Sequence, residues 1–219
     1  MNEYSFTRRR RVIANRRDEL KHDAILRAAI TVMAQAGYHH AQISRIAKVA
    51  GVADGTVYLY FKNKEDILIS LIRSCISQIV KRSTEELLSG MSATEKLSRL
   101  VTLYFRELGS DAELAMVTQV HLRQVDANIR RQIGDIMKPF YDTLDDVVNQ
   151  GIDEGMFRPG INRRLARRML FGTMDETVTA WVLTGSKYDL EAQSSDVVDL
   201  LLHGLTVSQL VKSERSANT

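Results

Sequence analysis

Apolar residues recur at helical spacing along most of the chain. The first such series includes Leu20, Ala24 and Ala28. It predicts a helix over about 18–36 that Gly37 ends. Spacing and end signals predict further helices at about 43–50, 54–60, 64–88, 93–108, 112–125, 128–154, 163–183 and 194–211. No segment has the pattern of a strand, so the expected fold is all-α with about nine helices.

Polar residues with helix-capping chemistry precede three of these predicted helices. Asn63 and Asn162 are suited to accept the first free backbone N–H groups of a helix. Ser92 and Glu95 stand at the spacing of a reciprocal capping box. Pro139 lies inside a long predicted helix and is expected to kink it. The caps therefore mark three helix starts independently of the apolar spacing.

The segment 43–60 combines two short helices with a tight turn. A helix-turn-helix needs a small residue where its helices touch and a residue tolerant of positive φ in the turn, and Ala47 and Gly51 supply these. The inward positions are Ile46, Ala50, Val52, Val57 and Tyr60. The outward positions of the second helix, which would enter a major groove, are Asp54, Gly55, Thr56, Tyr58, Leu59 and Lys62. The segment is therefore predicted to bind double-stranded DNA.

Positive charge is concentrated towards the N-terminus. Residues 1–64 hold 12 Lys and Arg against 5 Asp and Glu, whereas the rest of the chain holds 18 against 22. This asymmetry indicates a nucleic-acid-binding end and a different task for the larger part. Residues 1–17 contain Arg8–Arg11, Arg16 and Arg17 with little apolar periodicity, and they are predicted to form a flexible or weakly helical arm. The arm either contacts phosphates or is a solvated tail.

Bulk properties exclude several classes of protein. The 219-residue chain can bury a sizeable core. It has no apolar segment of membrane-spanning length and no signal-peptide pattern, so no membrane contact and a cytoplasmic location are expected. The single cysteine, Cys75, lies in an apolar run and is expected to be a buried thiol in a reducing compartment. His39 and His40 are expected to face solvent in a loop, and no metal site is predicted.

The segment ILRAAITVMAQAGYHHAQISRIAKVAGVADGTVYLYFKNKEDIL resembles the N-terminal domain of the TetR family of bacterial repressors. By position, the resemblance implies DNA contacts at Ser44, Arg45, Asp54, Gly55, Thr56, Tyr58, Tyr60 and Lys64, with Lys62 on the same outward face. Ala41 and Ala53 depart from the family's common Thr and Ser. Asp54 therefore either caps its helix or accepts a hydrogen bond from a cytosine amino group. The implied domains are an arm (1–17), a helix-turn-helix domain (18–64) and an effector-binding and dimerisation domain (65–212).

Further segments resemble one branch of that family. GVADGTVYLYFKNKEDILISL, AMVTQVHLRQ, RRLARRMLFGTMDETVTAWV and KYDLEA together are similar to the fatty acid metabolism regulators of Gram-positive bacteria. This resemblance extends over nearly the whole chain apart from the arginine-rich arm. It implies a repressor of β-oxidation genes that uses no cofactor and is released from DNA by long-chain acyl-CoA.

Such an effector needs an apolar tunnel for its acyl chain and cations for its phosphates. The residues expected to line the tunnel are Leu103, Met116, Val120, Met137, Phe140, Tyr141, Leu144, Phe171 and Met174. The cations expected near its mouth are Arg106, Arg123, Arg130, Arg131 and Lys138. Taken singly, each of these residues also fits an ordinary core or surface position.

The last two predicted helices are apolar around most of their circumference. A helix with two apolar faces needs one partner inside the subunit and another outside it. A homodimer with a four-helix interface is therefore expected, which also gives the two heads that a palindromic operator requires. The expected interface residues are Leu165, Met169, Leu170, Trp181, Leu201 and Leu205. Full burial of both helices inside a monomer is the alternative.

Two other functions fit the sequence less well. A multidrug-efflux regulator of the same family would favour buried carboxylates and aromatic residues in its pocket, whereas the middle helices carry several arginines and few aromatics. A CoA-dependent enzyme would need a catalytic motif. The chain has no G-x-S-x-G, no H-E-x-x-H and no glycine-rich phosphate loop after a strand, so it is not expected to be an enzyme.

Overall fold

Nine α-helices make up most of the part of the chain that the structure describes. The structure is a computed structural model that describes residues 3–121 and 127–205, with side chains described over 16–119 and 127–203. The elements are α1 (Glu3–Ala36), α2 (Ile43–Ala50), α3 (Asp54–Tyr60), α4 (Lys64–Glu86), α5 (Ala93–Gly109), α6 (Ala112–Met116), a π-helical turn (Val117–His121), α7 (Ala127–Asp153), α8 (Arg163–Leu183), a 3-10 turn (Glu191–Gln193) and α9 (Ser194–Leu205). The predicted all-α fold is confirmed.

The described residues form two compact units. The first contains the residues up to 74 together with 116–133, and the second contains 75–115 together with the residues from 134 onward. In the first unit α1 packs against α2, and α2 against α3. In the second unit α5 packs against α8 and α9. None of the described helices combines the length and the apolar character needed to cross a membrane.

α1 starts earlier than the sequence predicted. The expected start lay near Asp18, after a flexible arm, whereas the helix begins at Glu3. No glycine or proline interrupts this stretch, and arginine has a high helix propensity, so the backbone can remain helical through the arginine run. Gly37, with φ 79°, ends the helix as predicted. The C-terminal half of α1 supplies the buried side chains Ile25, Leu26, Ala28, Ala29, Ile30, Val32 and Met33.

The helix-turn-helix forms as predicted between α2 and α3. Gly51 has φ 69°, and its backbone N–H bonds the carbonyls of Ala47 and Lys48 at the end of α2. Ile46, Ala47 and Val57 are fully buried. The remaining inward positions, Ala50, Val52 and Tyr60, are half-buried. The turn thus presents the opposite side of α3 to solvent.

The predicted caps start their helices. Asn63 accepts a hydrogen bond from the backbone of Asp66 at 2.8 Å, and Asn162 accepts one from Leu165 at 3.1 Å. Ser92 and Glu95 form a complete capping box at the start of α5. These contacts lie within a few residues of one another, which is why the sequence pattern alone could find them.

One segment departs from the expected helices. The helix predicted over 112–125 is α-helical only to Met116 and continues as a π-helical turn to His121. Apolar spacing does not separate these geometries, because both return to the same side after about one turn. α7 continues through Pro139. The expected end of the last helix, near 211, and residues 122–126 lie outside the described part.

The end of α7 contains a close approach between Gly151 and Phe157. Both residues are buried, and the carbonyl of Gly151 accepts hydrogen bonds from the backbone N–H groups of Met156 and Phe157 at 2.9 and 2.8 Å. A Cβ atom on Gly151 would overlap the ring of Phe157. Gly155, with φ 71°, makes the intervening turn. The chain therefore reverses tightly after α7 and leads into α8.

Candidate functional site

The outward face of α3 is open to solvent. Asp54, Gly55 and Tyr58 are exposed, and Thr56 is half-buried. A side chain added at Gly55 would meet nothing within 4 Å, so packing does not require glycine there. Of the other predicted DNA contacts, Ser44, Arg45 and Lys62 are also exposed. The outward face of α3 is therefore accessible and could enter a DNA groove.

Tyr60 differs from its expected role as a phosphate donor. Its hydroxyl donates a hydrogen bond to Oδ1 of Asp18 in α1 at 3.1 Å. Partial burial, this hydrogen bond and the negative charge of Asp18 together raise the pKa of Tyr60. The single hydroxyl proton is therefore used to hold α3 against α1 and is not available to a phosphate.

Two predicted cations are engaged within the first unit. Nζ of Lys64 donates to the carbonyl oxygen of His39 at 2.9 Å and lies 4.8 Å from the centre of the Tyr38 ring. Burial lowers the pKa of Lys64. Arg45 donates to Oε1 of Gln35 at 3.1 Å. Each side chain keeps further N–H groups that could reach DNA, but these contacts within the first unit already fix where it lies.

Asp54 does not cap α3. The cap position is Ala53, which makes no side-chain cap hydrogen bond, and Asp54 is the first residue of the helix. The expectation of a capping role is therefore wrong, since a residue within the first turn cannot adopt the geometry of the cap itself. Its exposed carboxylate lies at the N-terminal end of α3. The base-reading alternative remains for Asp54.

An aromatic cluster fills the second unit between α5, α7 and α8. The rings of Tyr104 and Phe140 stack with centres 5.6 Å apart. Phe171 meets Tyr104, Phe140 and Tyr141 edge-on, with centres 6.3, 6.2 and 5.1 Å away. The other predicted tunnel residues of this unit, Leu103, Met137, Leu144 and Met174, are buried. Tyr104 was missed, although its position directly after Leu103 could have suggested it.

A polar group adjoins this aromatic cluster on α7 and α8. Arg167 donates to Oδ2 of Asp145 at 2.5 Å, and its guanidinium carbon lies 5.4 Å from the centre of the Tyr141 ring. Oδ1 of Asp145 and Oδ1 of Asn149, one helical turn apart, are buried without a hydrogen-bond partner in the described part of the chain. None of these three polar residues was predicted, because nothing local in the sequence marks a charge pair formed across two helices.

Two of the cations expected for CoA phosphates are paired with carboxylates inside the second unit. Arg106 donates to Glu86 at 2.6 Å, a partner that stands twenty residues earlier in the chain. Lys138 pairs with Asp142 one turn away at 2.6 Å. Arg130, Arg131 and Met116 belong to the other unit. The remaining predicted ligand residues, Val120 and Arg123, lie outside the described side chains.

The last two described helices each bury one side and expose the other. Leu170, Trp181 and Leu201 are buried within the chain, so predicting them as contacts with a second subunit was wrong. Helical spacing explains the error, because Leu170 shares the inward face with Ala166, Met174 and Val178. Leu165 and Met169 are 54% and 48% exposed, as an interface requires. The side chain of Leu205 lies outside the described part.

An open groove of about 600 Å³ runs along the outward side of α8. It is lined by Arg168, Met169, Gly172, Thr173, Glu176, Thr177, Ala180 and Tyr188. Leu165 and Leu183 of α8 and Leu200 of α9 add further exposed apolar side chains to the outward surface of these two helices. Small residues at the floor of such a groove allow a second helix to approach closely.

Known proteins match both parts of the chain. Residues 25–71 match the family described as bacterial regulatory proteins, tetR family, and residues 72–204 match the C-terminal region of YsiA-like proteins. The fatty acid metabolism regulator protein of Bacillus subtilis (strain 168) is 48% identical, over 84% of this chain and 95% of that protein.

Two solved structures are similar over the same extent. FadR from Bacillus subtilis in complex with stearoyl-CoA has a TM-score of 0.79 and 48% identity, covering 83% of this chain and 98% of that one. The fatty acid degradation regulator FadR from Bacillus halodurans has a TM-score of 0.81 and 46% identity, covering 84% and 96%. With its helix-turn-helix and both matched regions in place, the chain belongs to the TetR family of bacterial transcriptional regulators.

Proposed function

We propose that the chain is a repressor of fatty acid degradation genes that leaves its operator when it binds long-chain acyl-CoA. The observation that carries this proposal is the similarity, over nearly the full length of the relative, to a regulator whose structure contains stearoyl-CoA. The protein acts on double-stranded DNA in the cytoplasm, and neither a cofactor nor a catalytic step is involved.

The exposed face of α3 reads the operator. Its N-terminal end enters the major groove, where Thr56 and Tyr58 contact phosphates or base edges and Gly55 lets the backbone come close. Asp54 accepts from a cytosine amino group. Ser44, Arg45, Lys62 and Lys64 add contacts around the groove, whereas Tyr60 acts by holding α3 in place.

The acyl chain lies against the aromatic cluster of the second unit. Phe140 and Tyr141 of α7 and Phe171 of α8 offer a large apolar surface, next to the flexible side chain of Met174. The unpaired oxygens of Asp145 and Asn149 need hydrogen-bond donors, and the amide N–H groups of the pantetheine arm of CoA have that chemistry. A ligand with an apolar chain and an amide-bearing stem suits both features.

The outward sides of α8 and α9 form the interface of a homodimer. Leu165, Met169, Leu183 and Leu200 expose apolar surface that a second copy would cover. A two-fold axis would pair the same patch on each subunit. The dimer then places two recognition helices on one palindromic operator, with centres about one DNA turn, roughly 34 Å, apart.

The dimer releases its operator if acyl-CoA binds more tightly to a conformation in which the two helix-turn-helix domains are wrongly spaced for DNA. α4 begins beside the helix-turn-helix, and its C-terminal turns are tied to α5 by the ion pairs Arg82–Glu107 and Arg106–Glu86, both close to 2.5 Å. A ligand that displaces α5 would therefore move α4 with it. To switch most molecules, the ligand must favour the released state by several kcal/mol, about 5 kcal/mol for a complete change.

Gel-shift titration tests this function. A duplex selected by the protein from a random library would be titrated with stearoyl-CoA, stearate and free CoA. Release by stearoyl-CoA alone is the expected result, because both the apolar chain and the polar stem are needed. Release by stearate alone, by free CoA alone, or by none of the three would contradict the proposed effector.

A further inference from the structure

The arginine-rich stretch at the N-terminus carries most of the net positive charge of the first 64 residues. Residues 1–17 hold six Arg against one Glu, whereas residues 18–64 hold six Lys and Arg against four Asp and Glu. The stretch also precedes residues 25–71, which match the TetR DNA-binding region. That match therefore assigns no role to this charge.

The backbone of this stretch is part of α1. The same helix continues from Glu3 to the buried residue Ile25 and on to Ala36. At 1.5 Å per residue, positions 17 and 8 lie about 12 and 26 Å along the axis from Ile25. The arginines are thus carried on a continuous helix whose other end is packed in the head.

Two contacts fix which side of α1 faces the recognition helix. Asp18 accepts the hydroxyl hydrogen bond of Tyr60, the last residue of α3. The ring of His22, one turn further along α1, lies 5.0 Å from the ring of Phe61. Since Arg17 directly precedes Asp18, the arginine run begins where α1 meets the end of α3.

Helical spacing continues this side of α1 towards the N-terminus. Position 11 precedes Asp18 by seven residues, which is two turns, and position 8 lies a further turn away. Position 11 therefore falls on the same side of the helical backbone as Asp18 and His22, and position 8 borders it. The sequence places arginine at this register of α1 beyond the last contact with α3.

We propose that this helical arm is a second DNA-binding element, whose arginines bind operator phosphates beside the groove that α3 enters. The inference rests on the proposed DNA-binding function. Arginine binds phosphate through paired N–H groups, and such contacts strengthen binding without reading sequence. The arm should therefore raise affinity for every duplex, with a contribution that weakens as salt releases the phosphate contacts.

The salt dependence of DNA affinity tests the arm. The full chain would be compared with a variant carrying Arg8→Gln, Arg9→Gln, Arg10→Gln and Arg11→Gln, because glutamine keeps a high helix propensity and removes the charge. The slope of log affinity against log salt changes by about 0.9 per phosphate contact. Losing one contact per arm in a dimer makes the slope shallower by about 1.8. Between 50 and 200 mM salt, the variant should therefore lose about 12-fold less affinity than the unsubstituted chain loses.

A matched variant removes the same charge elsewhere. Lys81, Arg158, Arg163 and Lys187 are exposed in the second unit, and changing all four to glutamine should leave the slope within error. The ratio of affinities for a selected duplex and a random one should be unchanged by the arm variant. An unchanged slope in the arm variant overturns the inference. A loss of affinity that is confined to the selected duplex also overturns it, because the arm would then contact bases and not only phosphates.

The two proposals fail in different ways. If duplex DNA is bound but stearoyl-CoA does not release it, the effector proposal is wrong while a reduced slope still supports the arm. If release is normal but the arm variant keeps the full slope, only the arm is wrong. Circular dichroism of both variants shows whether the helix content is retained, and no binding of any duplex by the unsubstituted chain would overturn both proposals.

Discussion

The ring of Phe157 occupies the space in which a side chain on Gly151 would lie. The ring is fully buried, and the backbone N–H groups of Met156 and Phe157 both donate to the Gly151 carbonyl. Neither partner can therefore move without breaking the turn that connects α7 to α8.

Gly151→Ala should destabilise the protein by about 1–3 kcal/mol, the usual cost of overpacking a filled site. Gly134→Ala on the same helix is the matched control, because a methyl group there meets nothing within 4 Å and should be neutral or slightly stabilising. Urea unfolding of the three proteins would measure the difference. Equal stability of the two alanine variants would contradict the close contact.

Leu165→Glu combined with Met169→Glu should convert the dimer to monomers. The substitutions place charges on exposed apolar positions of α8 that the proposed interface would bury. Light scattering after size-exclusion chromatography measures the mass, and operator affinity should fall at least about 10-fold because the two heads no longer bind together. Leu88→Glu, at a similarly exposed leucine after α4, should leave the dimer intact. A dimer that survives the double change would place the interface elsewhere.

Phe171→Leu should weaken the response to stearoyl-CoA while keeping the core filled. The change removes the edge-on ring contacts with Tyr104, Phe140 and Tyr141. We expect half-release of DNA to need at least about 10-fold more ligand, equivalent to about 1.4 kcal/mol of lost binding. Met156→Ala, at an exposed position after α7, is the control. An unaltered titration would show that the acyl chain lies away from this cluster.

Stability should fall in acid because of two depressed carboxyl pKa values. Hydrogen bonds from the backbone and hydroxyl of Ser92 lower the pKa of Glu95, and a backbone hydrogen bond from Ala93 lowers that of Glu154. Their ordinary value is 4.5, so the stabilisation is present above that pH and is lost as the pH falls through the lower folded values.

Thermal melts of Glu95→Gln and Glu154→Gln measure this dependence. Each variant should melt below the unsubstituted protein at pH 7, and the gap should narrow as the pH falls below about 4.5. The expected sign follows because the unfolded chain takes up protons that the folded chain resists. A gap that widens in acid would mean that these contacts do not favour the charged carboxylates.

The thiol of Cys75 should be inert in the folded protein. The residue as a whole is half-buried, but the loss of water around its thiol, with the negative charges of Glu107 and Asp111, raises its pKa to about 12 from an ordinary 9.0. The reactive thiolate is therefore about 1,000-fold scarcer at pH 8 than in an unfolded chain. Iodoacetamide labelling followed by mass spectrometry, with and without guanidinium, measures the ratio of rates. Similar rates in both states would contradict the burial.

Local chemistry made part of this molecule predictable from sequence. The caps at Asn63, Ser92 and Asn162 and the turn at Gly51 depend on contacts within a few residues, so a single stretch of sequence contains the whole interaction. The bend of the helix-turn-helix followed from the same kind of evidence. Family resemblance then supplied the function, which spacing alone left open.

Contacts between distant segments were harder to predict. Arg106 is paired with a glutamate on another helix, and nothing near it in sequence shows that pairing. Leu170 and Trp181 were placed on the outside because both sides of α8 are apolar, and only packing against α5 and α9 decides which side is buried. The polar group at Asp145 was missed for the same reason.

The uninterrupted course of α1 makes its arginines part of a rod instead of a tether. A tether loses conformational freedom when it binds DNA, whereas a rod has already lost that freedom on folding. The substitution Ala14→Pro would break the helix between Arg11 and the packed part of α1 without changing the charge, since proline disrupts a helix interior. The loss of DNA affinity caused by that substitution would measure the contribution of helix stiffness, and the affinity that the arm still adds would measure the contribution of charge alone.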